Sequence, residues 1–407
     1  AYNWSLDTYG GGMGGSVSSS GSLSDNTTGI YPVALLGGNG NSILATSFYP
    51  GKPQDSGLPL PYTAASQDPT RFNGQGANYT QYHAPVPKIY QWNFGVEREV
   101  ARNYMVQLAY VGSHGFNLAF PTDLNQVPAN LRTTNDSGNR PYPNFQGIAG
   151  STNNGISNYN SLQASITKRM TNGLSLSFNY VWSHFLDDMD SSGWGSRAGE
   201  QPFQAANNPA ANYSNSNFDV RHAFKGYVVY QLPFGTGKQF LNNNRLLDAA
   251  VGGWQVSGTV LLSTGNPFTV YADQNTYALA GSAFPDWNPG VNWKPAHQTI
   301  YNWYNPGAFL RPADGTFGNV RRNSLYGPGL NLFNMSAAKS FTVPFREGVR
   351  IEFRADAQNV FNHPSFGNPS TGLGGSAGAG TPYTNQTAIS GTTVGGRTLQ
   401  IGLRVSF

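Results

Sequence analysis

Cysteine is absent from the 407-residue chain, which excludes disulfide bonds and cysteine-ligated metal sites. Charged residues make up only 11%, and the basic residues are scattered, so the sequence does not support nucleic-acid binding through a basic stripe. No apolar run approaches the roughly 20 residues that a membrane-spanning helix requires. A membrane β-barrel remains compatible with these absences, because its strands show only alternation of apolar and polar residues.

Such alternation recurs along most of the chain. The last residues read "RTLQIGLRVSF", in which Leu399, Ile401, Leu403, Val405 and Phe407 fall on one side and polar residues on the other. The pattern is sharpest in "VRIEFRADAQNVF", and helical periodicity is almost nowhere. Counting the opening "YNWSLD", about ten strands of this kind are visible. The sequence therefore predicts an all-β, antiparallel fold.

The predicted connections alternate in length. Short polar turns follow one end of the strands, as at residues 98–103, 169–173 and 342–348. Long loops rich in Gly, Asn, Pro and aromatic residues follow the other end, at about residues 8–87, 113–157, 185–217, 265–329 and 363–395. Short turns on one rim and long loops on the other are typical of an outer-membrane barrel. Residues 1–407 are predicted to form one barrel domain without a plug domain.

The alternation also predicts which face meets lipid. A face carrying Arg350, Glu352, Arg354 and Asp356 must line a polar lumen, because a mid-bilayer Arg on the lipid face costs about 2–4 kcal/mol. Aromatic residues near strand ends are predicted to form interfacial girdles; these are Tyr90, Trp92, Phe94, Tyr180, Trp182 and Trp254. A soluble β-sandwich or propeller also predicts alternation. The polarity of loop lengths, strands of more than ten residues and the apolar terminal strand favour the membrane barrel.

Several stretches, in order, resemble a known family: "YQWNFGVEREVARNYMVQLAYVGSHG", "YNSLQASITKRMTNGLSLSFNYVWSHFLDD", "NFDVRHAFKGYVVYQLPFGTGKQF", "GGWQVSGTVLLSTGNPFTV", "GTFGNVRRNSLYGPGLNLFNMSAAKSF" and "FRADAQNVFNHPSFGNP". They resemble the TonB-dependent receptors, closest to the acidobacterial type whose intact members carry a carboxypeptidase-regulatory-like domain in front. The resemblance implies an outer-membrane barrel of about 22 strands that imports a bulky solute through TonB. It also implies that Phe407 is part of the signal read by the barrel-assembly machinery.

The chain departs from this family in two respects. About ten strands correspond to the C-terminal half of such a barrel, and neither a plug domain nor a TonB-contacting segment precedes them. TonB is therefore an expected partner only if a plug domain exists upstream. Ten strands from a larger barrel would leave two open edges in lipid, so the rest of the barrel belongs to another segment, or the strands close with one another or with copies of the chain. The alternative function is a self-assembling surface protein, such as a fibre or array.

Candidate sites for chemistry are few. Asp187, Asp188 and Asp190 lie together after "HFL" and could bind a hard cation such as calcium, although a solvated acidic loop is the simpler interpretation. The loop aromatics Trp194, Trp287, Trp293 and Trp303, with Tyr301 and Tyr304, could stack on a flat ligand or pack the loops together. A secreted glycan-binding or hydrolytic protein would need paired carboxylates, and the acids are too scattered to nominate a pair. The sequence predicts no enzyme activity and no cofactor.

Overall fold

The computed structural model describes residues 77–81, 83–128, 137–189, 204–205, 208–235, 237–241, 250–272, 283–313, 315–342, 350–385 and 387–407. The predicted opening strand at residues 2–6 lies outside these residues. Among the described residues, none of the helices has the length and hydrophobicity needed to cross a membrane.

The described residues form mainly strands, with a few short helical segments. The strands, in chain order, are β1 (Ala77–Thr80), β2 (Lys88–Ala101), β3 (Tyr104–Asp123), β4 (Ile148–Thr171), β5 (Leu174–Asp187), β6 (Ser214–Asn215), β7 (His222–Gln231), β8 (Trp254–Ser263), β9 (Pro267–Phe268), β10 (Asp286–Trp287), β11 (Phe309–Leu310), β12 (Leu325–Tyr326), β13 (Leu330–Thr342), β14 (Arg350–Gln358), β15 (Ser365–Phe366), β16 (Thr392–Val394) and β17 (Thr398–Ser406). A short α-helix, α1, spans Pro209–Asn212, and 3-10 turns span Ser137–Asn139 and Pro306–Ala308.

Nine strands form the main path of one large sheet in the order β17-β14-β13-β8-β7-β5-β4-β3-β2. Every neighbouring pair along this path is antiparallel, whereas β1 adds to β4 in parallel and β6 adds to the end of β5. The predicted all-β, antiparallel class is therefore confirmed. Within the described residues, the sheet ends at β2 and β17, each of which has one neighbour.

The two-residue turn between β4 and β5 follows directly from its residues. Asn172 and Gly173, between β4 and β5, have φ angles of 51° and 76°. Positive φ at both central residues is the requirement of the hairpin turn that matches strand twist, and Asn-Gly meets it with little strain. Strands β2 and β4 continue to Ala101 and Thr171, so both turns are shorter than the sequence predicted.

The connections between strands of the main path fall into two sets by length, one at each end of the sheet. The long ones, at residues 124–147, 188–221, 264–329 and 359–397, define the loop side, and the others define the turn side. Strands β3 and β4 pair from Tyr104–Lys168 to Asp123–Ala149, well into the loop predicted at 113–157. On β3 the apolar alternation continues through Phe116, Leu118 and Phe120, a strand signal that the loop prediction missed. Residues 148–157 of β4 are rich in Gly, Asn and Ser and lack such alternation. A turn-side connection over 232–253 is the long exception.

The pairing register collects apolar side chains on one face of the sheet, the outer face. Leu176 of β5 lies opposite Val228 of β7, and Phe224 of β7 lies opposite Leu262 of β8. Residues between these positions, such as Ser177 of β5, point to the opposite, lumen face. The same register places Ile351 and Phe353 of β14 opposite Val405 and Leu403 of β17.

Candidate functional site

The lumen face of β13, β14 and β17 carries the predicted polar residues. Glu352 lies opposite Arg404, and Arg350 lies opposite Ser406. On β14 itself, Arg354 Nε lies 2.9 Å from both carboxylate oxygens of Asp356. Because Arg354 is 56% exposed, this pair contributes little to stability, but it sets alternating charge along the wall.

A cavity of about 510 Å³ opens on this lumen face. Its polar lining includes Tyr227 of β7, Thr259 of β8, Asn334 of β13, Asp356 of β14 and Gln400 of β17. Asn334 Nδ2 donates to Thr259 Oγ1 at 3.1 Å, which orders two of these groups. Hydroxyl, amide and charged groups therefore converge in a space whose volume lies within the range of ligand pockets.

The predicted girdle aromatics lie on the outer face at two levels. Tyr90, Trp92, Tyr180 and Trp182 lie toward the loop side, Phe94 lies between the levels opposite Tyr110, and Trp254 begins β8 on the turn side. The predicted girdle residues on β2 and β5 are exposed, from 38% for Tyr180 to 72% for Phe94. On the loop side, which is called the upper level here, ring hydroxyl groups have polar partners. Tyr110 OH donates to Asn160 at 2.6 Å, and Tyr180 OH lies 2.7 Å from His222 Nδ1.

Two lysines that the sequence analysis did not identify lie on the outer face at the turn side, which is called the lower level here. Lys168 of β4 donates to Thr171 O, Thr171 Oγ1 and Leu174 O at 2.8–3.1 Å, and its ammonium lies 5.5 Å from the Tyr104 ring centre. Lys339 of β13 lies over Trp254 and Phe341 in the same way. From Asn160 to Lys168, β4 spans roughly 26 Å at 3.3 Å per residue. With a strand tilt of about 40°, the apolar band is roughly 20 Å high, close to the 25 Å of membrane barrels.

The long loops fold around a core of their own on the loop side, here called the loop cap (the described parts of residues 264–329 and 359–397). Its fully packed residues are Phe268, Val270, Tyr304, Ala308, Phe309, Val320, Leu325, Leu373 and Tyr383. Trp287, Trp293 and Trp303 pack against this core, and the Trp287 ring lies 5.0 Å from that of Phe309.

The remaining loop aromatics divide by exposure. Tyr304 is completely buried, its OH donates to Ser370 O at 2.9 Å, and burial raises its pKa. Tyr301 is 72% exposed. Trp194 lies outside the described residues. Ligand stacking by these side chains stays a prediction.

A buried polar joint connects the loop cap to the end of β5. Arg322 of the cap is completely buried and pairs with the carboxylate of Asp187, and it also donates to Asp187 O at 2.7 Å and to Asn212 O at 3.4 Å. Beside it, Asp188 accepts from Ile156 N at 2.9 and 3.1 Å. Burial raises the pKa of Asp188 to about 6.

The acidic residues at this joint were predicted as a weak cation site. Asp187 faces a guanidinium, and Asp190 lies outside the described residues. In the part of the chain that the structure describes, no group of three His, Cys, Asp or Glu side chains could hold a metal ion. Sequence spacing could not reveal Arg322 as the partner, because 135 positions separate the two residues.

A second polar group lies next to the joint. Tyr326 OH donates to Asp219 Oδ2 at 2.9 Å, and Arg221 Nε lies 2.9 Å from the same oxygen. Burial is the main cause of a raised pKa for Tyr326. Asn215 and Asn323 complete the contact through reciprocal side-chain to carbonyl bonds at 2.8–2.9 Å. The loop cap is thus held to the strands by hydrogen bonds whose donors and acceptors are mostly hidden from water.

Comparisons with solved structures give remote similarity. The outer membrane transporter YddB from Escherichia coli matches with a TM-score of 0.38 and 11% identity over 82% of this chain and 34% of that one. The FrpB iron transporter from Neisseria meningitidis matches with 0.36 and 9% over 81% and 32%. The siderophore receptor PiuA from Acinetobacter baumannii matches with 0.30 and 10% over 79% and 34%. The chain spans about a third of the length of each.

A family model matches nearly the whole chain. No curated protein sequence matches the chain. A family model described as "Outer membrane beta barrel domain" matches residues 10–400, which confirms the barrel type predicted from alternation. The chain therefore belongs to the outer membrane beta barrel domain family and is a protein of the bacterial outer membrane.

Proposed function

We propose that the chain forms part of the barrel of a TonB-dependent receptor and binds a bulky solute for import between the loop cap and the lumen face. The observation that carries the proposal is the loop cap itself. Long loops that fold around a core and dock on the strands through buried polar groups form a structured mouth above a polar cavity. The order of motifs along the sequence supports the same family.

Binding would use hydrogen bonds and ring contacts without covalent chemistry. Tyr227, Asn334, Arg354 and Gln400 line the cavity, and Tyr301 offers an exposed ring on the cap. Further expected partners are the outer-membrane lipid around the apolar face and the barrel-assembly machinery, which would read the terminal strand that ends at the 96% exposed Phe407. TonB would be a partner through a plug domain in another segment of the protein.

The decisive experiment is intact mass with N-terminal sequencing of the protein extracted from its native membranes. A mass well above the 43.8 kDa of this sequence, with a plug domain included, would support the transporter, and solute uptake would be the next assay. Uptake should fall in a Tyr227→Ala variant and persist in a Tyr230→Ala variant, because Tyr230 lies on the outer face of the same strand. A mass of 43.8 kDa with no companion fragment would contradict the proposal.

Self-assembly is the second candidate, and the two edges of the sheet favour it. Leu399, Ile401 and Leu403 of β17 are 68–73% exposed, and each residue of β2 is exposed as well. An exposed apolar edge strand is a template for pairing with another chain. Electron microscopy of the purified chain would test this: ordered filaments or arrays would favour self-assembly, and single closed barrels would exclude it.

A further inference from the structure

Strand β2 ends the sheet on the side away from β3, and this side of the strand is called the β2 edge here. Among the described residues, β3 is the one neighbour of β2, and all 14 residues of β2 are exposed. In an antiparallel sheet, alternate residues of an edge strand direct both backbone polar groups away from the neighbour. Hydrocarbon offers these groups no hydrogen bonds, so the β2 edge requires a further strand within the membrane.

The direction of β2 restricts which strand can pair with its edge. β2 ends at the turn-side connection to β3, so it runs from the loop side to the turn side. β17 follows the loop-side connection at residues 359–397 and therefore runs in the same direction. In a second copy inserted in the same membrane, β17 would lie parallel to β2, whereas outer-membrane barrels are antiparallel. The β2 edge thus fits a strand that runs from the turn side to the loop side.

The chain that precedes β2 lies at the loop side. β1 pairs with Ile148–Ser151, the first residues of β4 after a loop-side connection. Asn153 Nδ2 donates to Pro85 O at 2.9 Å, and Asn117 Nδ2 donates to Val86 O at 3.3 Å. These bonds hold the approach to β2 against the loop-side parts of β3 and β4. A membrane strand that continues directly into this segment ends at the loop side, which is the direction that the β2 edge requires.

Residues 2–6 carry an alternation that matches β2. Tyr2, Trp4 and Leu6 are apolar or aromatic, and Asn3 and Ser5 between them are polar. β2 has the same pattern, with aromatic residues on the outer face and polar residues such as glutamine and asparagine on the lumen face. Antiparallel pairing would place aromatic side chains beside each other toward lipid and polar side chains beside each other toward the lumen. Residues 7–87 would then be a long loop-side connection, like residues 264–329.

We propose that residues 2–6 pair with the β2 edge as an antiparallel strand, with Tyr2, Trp4 and Leu6 toward lipid and Asn3 and Ser5 toward the lumen. Because β2 and β17 run in the same direction, an odd number of strands must separate them in a closed antiparallel barrel. The strand at residues 2–6 is one of these, and any further strands come in an even number. The proposal concerns the barrel wall and is independent of whether the protein imports a solute.

Disulfide cross-linking of the full chain tests this pairing, because the chain contains no cysteine. Ser5→Cys is combined in turn with each of four lumen-face changes on β2, and the membrane-embedded protein is oxidised; the four are Ile89→Cys, Gln91→Cys, Asn93→Cys and Gly95→Cys. Opposite Cα atoms lie about 4.5–5.5 Å apart, within the range of about 4.4–6.8 Å that a disulfide accepts. Positions displaced by two residues lie about 7–8 Å away. One combination should therefore form an intramolecular disulfide, detected as linked peptides by mass spectrometry, and the others should lose most of it.

Two controls make the result decisive. Gln91→Cys/Ser113→Cys joins opposite positions of β2 and β3 and should cross-link in correctly folded protein. Ser5→Cys/Trp92→Cys places the two thiols on opposite faces and should not cross-link. With the first control positive, absence of a disulfide to all four lumen-face positions, or equal cross-linking to Trp92→Cys, would overturn the proposal. Disulfides between two copies of Gln91→Cys/Gln400→Cys would also overturn it, because β17 of a second copy would then occupy the β2 edge.

Discussion

Breaking the ion pair between Arg322 and Asp187 is expected to release the loop cap from the strands while the barrel wall stays intact. Arg322 is 0% exposed and Asp187 only 2%. The change Arg322→Met keeps most of the side-chain length but removes the charge and the bonds to Asp187 and Asn212. Asp187 is then left buried without its guanidinium, and such a break typically costs about 3–5 kcal/mol.

Amide hydrogen exchange measures this loss of stability separately in the loop cap and in the strands. Amides in the loop cap, such as Asn323 N (bonded to Thr269 Oγ1) and Val320 N (bonded to Pro285 O), should exchange at least about 100-fold faster in the variant. Amides within β8 should be unchanged, because their partners lie in β7 and β13.

The exposed pair provides the matched control. Arg354→Met removes an ion pair of 2.9 Å whose members are 56% and 29% exposed, so its cost should stay below about 1 kcal/mol and the cap should not respond. The double change Arg322→Met/Asp187→Leu should recover part of the loss, because no charge remains buried. Cap exchange rates in Arg322→Met that match those of the wild type would refute this account of the joint.

Three further predictions concern single residues. Burial raises the pKa of Asp188 from 3.8 to about 6, so the folded state binds this proton more tightly than the unfolded state. The resulting contribution to the free energy of unfolding is fully present below pH 3.8, and about 3 kcal/mol of it is lost as the pH rises through 6. Asp188→Asn should therefore flatten the dependence of thermal unfolding between pH 4 and 8; an unchanged slope would contradict this assignment. Lys168→Met removes three bonds to the β4–β5 turn and should lower stability to urea in vesicles by about 1.5–3 kcal/mol, and an unchanged midpoint would show that water replaces them. Gly226→Ala would place a Cβ 2.2 Å from a ring carbon of Phe178 and should cost about 1–3 kcal/mol in the same assay, whereas Gly402→Ala, in open space, should not.

The sequence was sufficient for the membrane-facing part of the sheet, because lipid imposes a strict rule on every second residue. The alternation at residues 349–358 predicted that Glu352 and Arg354 share a face, and the register confirms that Glu352 lies opposite Arg404 across β14 and β17. The turn at Asn172–Gly173 was also evident from its residues. Nine strands lie in the main path, against about ten predicted, and the remaining one falls outside the described residues.

Beyond the bilayer, the sequence predicted less. Strands β3 and β4 continue above the apolar band. There β4 is rich in Gly, Asn and Ser and shows no alternation, whereas the alternation of Phe116, Leu118 and Phe120 on β3 was not recognised as a strand. The loop cap joins residues as distant as Phe268 and Tyr383, so its core could not be inferred from local patterns. Lys339 is a charged residue on the otherwise apolar outer face of β13. The sequence could not show that its ammonium donates to the carbonyls of Ala250 and Gly252.

One face of the sheet meets lipid and the other meets water. The absence of native cysteine allows a spin label at a single engineered position without background. Labels placed by Ile351→Cys, Phe353→Cys, Glu352→Cys and Arg354→Cys in membrane-embedded protein should alternate in accessibility. Labels at 351 and 353 should collide mainly with oxygen dissolved in the bilayer, and labels at 352 and 354 with a water-soluble nickel chelate. Equal access of the chelate to all four labels would contradict the membrane barrel.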